Sequence, residues 1–594
     1  MTASAIQHIM KEAPVVTGLP TMPDGFSIDE DVWLVHESRA DGDGEPRTTR
    51  ICSQLEVIAR TAAVHSGGHG YLLRFPTDTG FIQEWAMPAS MLKGSAEELR
   101  GILLDMGLMI DANQRAHRLL TTYINLAAQR CAREGRLMTS TQRTGWHGDA
   151  YVLPDRVLGN PSQQRLVYQR ADHAADGYRR ARTLEAWQRD VAALCQGNTR
   201  LVFGVAAALA PTLLAPCHLK ESFGFHLYGE SSSGKTTILT VANSVWGDPD
   251  ALLESWNNTA NGLEGIATTR SDGLLTLDEL HQCDPRSAGK VVYMLAEGRG
   301  KGRAKETGVA RERARWRLIF FSTGELTTAD HIASEGGRSY AGQAVRAIVL
   351  PSDAGAGLGA FNQTHGHSGE AFANRIDLAA RESYGHAAAC FIEHLASKQQ
   401  LARETYARTR AHFHKRALPA GASGQVYRVG DKFALVVTAG LLACQWGIVD
   451  WDPEEITTAC TVMFREWLSE RGTSGDDEPR RAIEQVRAFL ERHGESRFTP
   501  LNGPSRTVPT RDRAGYVGDH RGITCFLFTA DGWKEACQGF GPRRVARWLA
   551  DGGYLLTEGK ERRFTCQVRG IPGHSGARKL YAVPAAILEA DEGA

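Results

Sequence analysis

No two cysteines of this chain stand as C-x-x-C, although eleven are scattered along its 594 residues. That spacing argues against a zinc ribbon and against a disulfide framework, and it predicts reduced thiols in a cytoplasm. An excess of one charge is also absent. Lys+Arg and Asp+Glu both number 68, so whole-chain charge says nothing about nucleic acid and local charge must carry that argument. No apolar run approaches the roughly 20 residues that cross a bilayer. The most apolar stretch, 201–214, contains Pro211 and reads as a buried helix. The first thirty residues lack a basic start followed by an apolar core, so neither a signal peptide nor a membrane partner is expected. There is no internal repeat and no low-complexity tract. Against these absences, 42% of the residues are hydrophobic, ample for packed cores. The length allows three or so domains at roughly 100–200 residues each.

Composition shifts divide the chain. Residues 1–24 read as a loose start and 25–157 as an α+β domain. In that domain 32–35 and 70–75 are predicted strands, with turn clusters at 41–46 and 66–70. Helices are predicted over 94–133, and short strands return over 144–153. The domain shows no catalytic constellation, and recruiting a partner or stiffening a ring are the roles open to it. The polar, basic stretch 158–182 reads as a linker. An α/β core is predicted over 183–372, with 352–372 a Gly- and His-rich loop. Helices follow over 373–472, then an acidic linker at 473–479 and a separate module over 480–594. His365 and His367 alone do not make a metal site, which needs more ligands at fixed spacing.

The chemistry is concentrated in the core. Gly229-Glu230-Ser231-Ser232-Ser233-Gly234-Lys235-Thr236 fits G-x-x-x-x-G-K-[ST] without mismatch, between a predicted strand at 223–228 and a predicted helix. The glycines let the backbone curl so that several N–H groups face one set of phosphate oxygens, and the helix start adds its positive end. Lys235 offers a point charge to the β and γ phosphates and Thr236 a hydroxyl to Mg²⁺. Thr237 follows in the same nucleotide-binding run. ATP and Mg²⁺ are therefore the expected ligands.

Asp278-Glu279 ends the next apolar strand, 43 positions after Lys235. An acid there can hold the Mg²⁺ shell, and the next can orient and deprotonate the attacking water. Asp is also a good helix N-cap, so it is the loop upstream that favours catalysis. Ser322-Thr323 ends a third strand, predicted over 317–321. Either hydroxyl can touch the γ-phosphate or the water, and turn chemistry before Gly324 explains the same residues. Arg338 and Arg346 come next. Such an arginine can stabilise transition-state charge at the nucleotide of a neighbouring subunit. Arg346 is preferred because it immediately precedes a predicted strand at 347–350. The four strands with their crossover helices predict a parallel sheet.

Between the second and third of these strands the chain is strongly basic. Arg299, Lys301, Arg303, Lys305, Arg311, Arg313, Arg315 and Arg317 fall within 19 residues, opposed only by Glu306 and Glu312 and interleaved with four glycines. A charge run is usually a solvated face. Here the glycines and the position predict a mobile hairpin or loop that grips the phosphate backbone of DNA or RNA without reading sequence.

The sequence resembles a bacterial family known as domain of unknown function 927. The resemblance rests on the run Phe225-His-Leu-Tyr-Gly-Glu-Ser-Ser-Ser-Gly-Lys-Thr-Thr, on Thr259-Ala-Asn-Gly-Leu-Glu-Gly-Ile and on Leu274-Leu-Thr-Leu-Asp-Glu-Leu. Met294-Leu-Ala-Glu-Gly-Arg-Gly-Lys and Phe321-Ser-Thr-Gly-Glu carry it further, as do His493-Gly-Glu-Ser-Arg-Phe and Gly532-Trp-Lys-Glu-Ala-Cys. It covers most of the chain and is strongest from about 180 to 350. Members occur on phages, plasmids and integrated elements, often beside or fused to a primase, and are described as superfamily 3-like replicative helicases. The resemblance implies an AAA+/superfamily 3-like P-loop ATPase core and a hexameric 3′-to-5′-type motor on single-stranded or forked DNA. This chain carries no primase motif, so a primase would be a separate partner. Where superfamily 3 usually has asparagine, it has Ser322-Thr323.

The C-terminal module reads helix, strand, helix, helix, hairpin, which resembles a winged helix. Pro542 suits a first helical turn, and the helix it opens shows Arg543, Arg544 and Arg547 toward one side, where a DNA groove or a protein surface could lie. Leu555-Leu556 and 564–568 are the expected wing. The expectation is thus a multidomain, ring-forming ATPase that pulls single-stranded nucleic acid to replicate a mobile element. The alternatives are a non-motor ATPase switch or loader and an ATPase of an anti-phage defence system.

Overall fold

The computed structural model describes residues 20–38, 47–63, 68–159, 165–171, 176–302, 313–335, 344–471, 477–501, 512–538, 540–559, 562–572 and 574–589. The chain divides into two compact units. One comprises the chain up to Leu418 with Arg428–Trp467, the other Pro419–Tyr427 with the chain from Leu468.

The first unit opens with an α+β region. A five-stranded sheet is covered by the helix Gln114–Arg133. Asn113 caps that helix by accepting from the Arg115 N–H at 2.8 Å. Leu120, Tyr123, Ile124, Ala127, Ala128 and Cys131 recur on one face and are buried. Burying a leucine or isoleucine there contributes about 1.5–3 kcal/mol. The buried Tyr123 hydroxyl donates to the Leu55 carbonyl at 2.7 Å, so its polar end is satisfied too. The segment expected as a linker differs from expectation. Leu166–Tyr168, a short apolar run, pairs in parallel with Leu137–Thr141 and becomes an edge of the same sheet.

The central sheet has five strands: β1 (Phe223–Tyr228), β2 (Leu253–Ser255), β3 (Leu274–Asp278), β4 (Ile319–Gly324) and β5 (Ala347–Pro351). Their order is β2-β3-β4-β1-β5, and every neighbouring pair is parallel. Apart from the edge strand β2, the strands are near-continuous apolar runs and almost wholly buried, as parallel strands covered on both faces must be. The helices that position the site are α1 (Thr199–Leu209), α2 (Lys235–Ser244), α3 (Ala260–Thr269) and α4 (Pro285–Glu297). α4 shows why the boundaries fall where they do. The Asp284 side chain accepts from the Arg286 N–H at 3.0 Å, Pro285 takes the first turn, and Gly298 ends the helix at φ +71°. Behind β1, Phe203 of α1 meets Phe225 edge-on at 4.9 Å, and Phe225 meets Phe433 at 5.5 Å.

The small sheet formed by Gly145–His147, Ala150–Val152 and Val157–Gly159 joins the core at the beginnings of the central strands. Asp272 is the joint. It is fully buried, with one carboxylate oxygen 2.5 Å from Arg317 Nε and the other accepting from the Trp146 N–H at 2.9 Å. The Tyr151 hydroxyl donates to the Asp272 carbonyl at 2.9 Å.

The second unit has the three expected helices, Asp477–His493, Ala530–Ala536 and Pro542–Asp551, and beside them a five-stranded sheet larger than the expected strand and hairpin. Its order is Phe498–Pro500, Gly515–His520, Ile523–Phe528, Arg578–Pro584, Cys566–Val568. The expected wing is tied into it, because Leu556 bridges to Ala582. The strand Arg578–Pro584, whose Leu580, Ala582 and Val583 are buried, holds it there. Among the described residues no helix is long and apolar enough to cross a membrane.

Asp272→Ala should destabilise the first unit by about 3–5 kcal/mol, since it leaves the Arg317 charge and the Trp146 N–H without their partner. Thermal or urea unfolding of the unit checks this; an unchanged midpoint would contradict the joint.

Candidate active site

β1 runs directly into Gly229–Gly234, and α2 begins at Lys235. Two close approaches shape the turn. A Cβ at Gly229 would lie 2.2 Å from Ser352 Oγ, and Gly234 sits at φ +89° with its Cβ position 3.1 Å from the Phe361 ring. No side chain caps α2, so its first N–H groups face the loop's concave side, where an anion is favoured. Lys235 Nζ donates to the Gly229 and Glu230 carbonyls at 2.9 and 2.6 Å. Burial lowers its pKa, and Glu325 and Asp278 oppose that shift. Glu230, Ser231 and Ser232 are exposed, Thr237 is half-buried, and Ser233 Oγ lies 3.1 Å from Ser352 Oγ.

Beside this loop the ends of β3 and β4 converge. The Thr236 hydroxyl donates to Asp278 Oδ2 at 3.0 Å. Asp278 Oδ1 accepts from the Thr323 hydroxyl and from the Glu279 N–H. Glu279 stands at φ +61°, a costly backbone for a residue with a Cβ. Its N–H lies 3.1 Å from Asp278 Oδ1 and 3.3 Å from Thr323 Oγ1. Its exposed carboxylate accepts from Gln282 Nε2, and Gln282 accepts in turn from Ser255 Oγ at 2.6 Å. Lys235, Thr236, Asp278, Glu279 and Thr323 thus share one rim. Thr236 and Asp278 present oxygens of the kind Mg²⁺ takes. Among the described residues no three His, Cys, Asp or Glu side chains form a metal cluster, so a divalent ion here would complete its shell with water or phosphate oxygens.

Ser322 faces the other way. Its hydroxyl is buried between the Trp256 indole N–H, which donates to it at 2.8 Å, and His226 Nδ1 at 2.9 Å. His226 Nε2 lies 2.9 Å from the Leu326 carbonyl. An indole can only donate and a carbonyl can only accept. With a neutral imidazole the chain has one direction: Trp256 to Ser322, Ser322 to His226, His226 to Leu326. Burial favours that neutral form, pushing the His226 pKa down to about 4. This network, with Gln282 and Ser352, escaped the sequence reading. The only signal for it was a histidine in the middle of an apolar strand.

The other candidates scatter. The bridge Arg299–Arg315 and the Gly300 N–H to Ala314 carbonyl bond of 2.9 Å make the two ends of the basic stretch a hairpin stem. The buried Glu264 of α3 accepts from the Lys301 N–H at 3.0 Å and pins that stem. Arg299, Lys301, Arg313 and Arg315 are exposed. Arg317 is not part of the cationic face, because Asp272 takes its charge. Arg303, Lys305 and Arg311 lie outside the described residues, as does Arg338. Arg346 precedes β5, at the end of the sheet away from the loop, with its guanidinium 4.7 Å from the Tyr293 ring centroid. In the second unit Arg543, Arg544 and Arg547 are all exposed. Arg544 pairs with Glu478 and lies 4.8 Å from the Trp548 ring centroid.

Fold and site define a multidomain protein built on a parallel-sheet α/β core, with a glycine loop and an acidic strand end at one rim. Residues 26–315 match the family model described as Domain of unknown function (DUF927). No curated protein matches the chain. Among solved structures, one described as "SCCmec type IV Cch - active helicase" shares the fold, with a TM-score of 0.67 at 19% identity over 97% of this chain and 100% of that one. NtrX from Brucella abortus in complex with ADP matches 43% of this chain and 51% of its own at 12% identity. Its TM-score of 0.17 carries no argument.

A buried neutral histidine binds its proton more readily when unfolded. Between its ordinary value near 6.5 and about 4, acid should therefore cost the first unit about 3 kcal/mol. Stability falls as pH drops through this window, and His226→Gln should flatten the slope. Thermal midpoints of both proteins between pH 7 and 4 check this; parallel curves would contradict it.

Proposed function

We propose that the chain is an ATP-dependent helicase or translocase that assembles as a ring, the hexamer its family resemblance implies, around single-stranded or forked DNA during replication of a phage, plasmid or integrated element. One observation carries the reading. The six-residue strand β4 begins four residues after the stem bridge at Arg315 and carries Thr323, its next-to-last residue, against Asp278. A strand of that length spans about 20 Å, so one rigid element joins the cationic stem to the phosphate rim.

In this reading Gly229–Thr237 cradles the triphosphate and Lys235 carries the charge that meets its β and γ groups. Thr236 and Asp278 would hold Mg²⁺, which neutralises charge developing on the phosphates. Glu279, with Gln282 orienting its carboxylate, takes the proton of the attacking water. Thr323 lies where it can register the terminal phosphate, and loss of that phosphate is felt at the hairpin through β4. Arg346 is remote from its own loop, so the nucleotide it can serve is that of a neighbouring copy, where an arginine stabilises transition-state charge. Arg299 and Lys301 with the rest of the basic stretch hold the DNA backbone. Arg543 and Arg547 offer a second contact from the other unit.

Lys235→Ala should abolish ATP hydrolysis, measured as phosphate release. Reversing charge at Arg299 and Lys301 together should lower the ratio of hydrolysis with and without single-stranded DNA by about tenfold. A wild-type chain whose hydrolysis ignores DNA, and which separates no tailed duplex, would sink the motor reading and leave an ATPase switch.

A further inference from the structure

The Gly- and His-rich segment after β5 has no role in the reading above, yet part of it is fastened to the phosphate loop. The Ala360 N–H donates to the Ser233 carbonyl at 2.8 Å, and a Cβ at Gly359 would lie 2.7 Å from that same oxygen. Ser352 Oγ is 3.1 Å from Ser233 Oγ. Between these two points the chain closes on itself, the Ala354 N–H donating to the Gly359 carbonyl at 2.7 Å. The closed tip is Gly355-Ala356-Gly357, all exposed.

Three consecutive residues at the start of α1 clamp the foot of this loop. Arg200 is buried, donates to the Asp353 carbonyl at 2.5 Å and pairs with Glu466 at 2.7 Å. The Thr199 N–H donates to Asn362 Oδ1 at 2.8 Å. The fully buried Asn198 accepts from the N–H groups of Asn362 and Gln363 at 2.8 and 3.0 Å. Burying a guanidinium and an amide costs free energy, and here Arg200 Nε is left without a partner, so a surface loop without a task has no call for so costly a foot.

The sheet order shows what the task is. Asp278 and Thr323 flank β1 on the β4 side, and the clamped loop leaves β5 on the opposite side. A nucleotide whose terminal phosphate points at Asp278 must run its nucleoside toward the clamped loop. We infer that Ala354–Gly359 is the second wall of the nucleotide site and packs against the ribose and base. It carries no side chain larger than methyl except Leu358, so its backbone can lie close against a flat ligand. Asn198, Thr199 and Arg200 are positioning residues for that wall.

This rests on the proposed nucleotide site, so the test separates the two. Binding of ATP and of inorganic tripolyphosphate, each with Mg²⁺, is measured by calorimetry on the full chain and on Gly357→Val. A Cβ at Gly357 meets nothing within 4 Å, so the side chain enters open space. ATP should bind about tenfold more weakly and tripolyphosphate as in the wild type. Gly366→Val is the control. Gly366 has a similar backbone, φ +85° against +70°, and equally open surroundings, but lies beyond the clamp; ATP binding should not change. If ATP affinity survives Gly357→Val, or if both ligands weaken together, the wall assignment is wrong. If the wild-type chain binds neither ligand, the nucleotide site itself fails and the wall with it.

Discussion

In the central sheet Tyr228 lies opposite Gly324 on one side and Pro351 on the other, while Leu277 lies opposite Ser322. This register ends four strands at one level, so that Gly229, Asp278, Thr323 and Ser352 emerge side by side although more than a hundred residues separate the first from the last. Parallel pairing allows nothing else: strands entering from the same edge must leave at the same edge. A shift of one residue in β4 would exchange Ser322 and Thr323 between core and rim. The buried bonds from Ser322 to Trp256 and His226 oppose that shift, because both would have to break before the strand could slide. Order at the rim is therefore maintained from beneath it.

The polar groups under the sheet also tie separate elements together. Trp256 follows β2, His226 lies in β1 and the Leu326 carbonyl lies beyond β4. With His226 neutral, each bond in the sequence has one possible donor, so the network is either whole or broken. Asp272 has the same character at the opposite end of the strands, where it joins the small N-terminal sheet to Arg317. The apolar core between these two buried anchors, with Phe203, Phe225 and Phe433 in contact, supplies cohesion without direction. The polar anchors supply the direction.

The motif residues from Gly229 to Thr236 and the acid pair at 278–279 were legible because a strand, a glycine turn and a helix write themselves in consecutive residues. The α/β core was legible for the same reason, although the short edge strand at 253–255 left no mark. Ser322 and Thr323 could not be told apart, since both are small hydroxyl residues and the choice depends on the phase of β4, which long-range pairing sets. Arg317 read as one more cation in a basic run until its partner 45 residues upstream came into view. The sheet of the second unit was missed where it depends on Arg578–Pro584, a strand that reaches past two helices for its neighbours. The loop after β5 was readable as a loop, but its attachment to Ser233 belongs to no local pattern.

The pin between Asp272 and Arg317 has an evolutionary consequence. Arg317 stands at the root of the hairpin, two residues before β4 begins, and its bond fixes where the strand starts regardless of what lies between Gly302 and Arg313. Residues gained or lost in the sequence between those two positions would not move Thr323 relative to Asp278. Length and charge in that stretch can therefore vary between lineages while the glycine loop and the acidic strand end keep their mutual register, so that what the stem presents and what the rim holds are free to evolve apart.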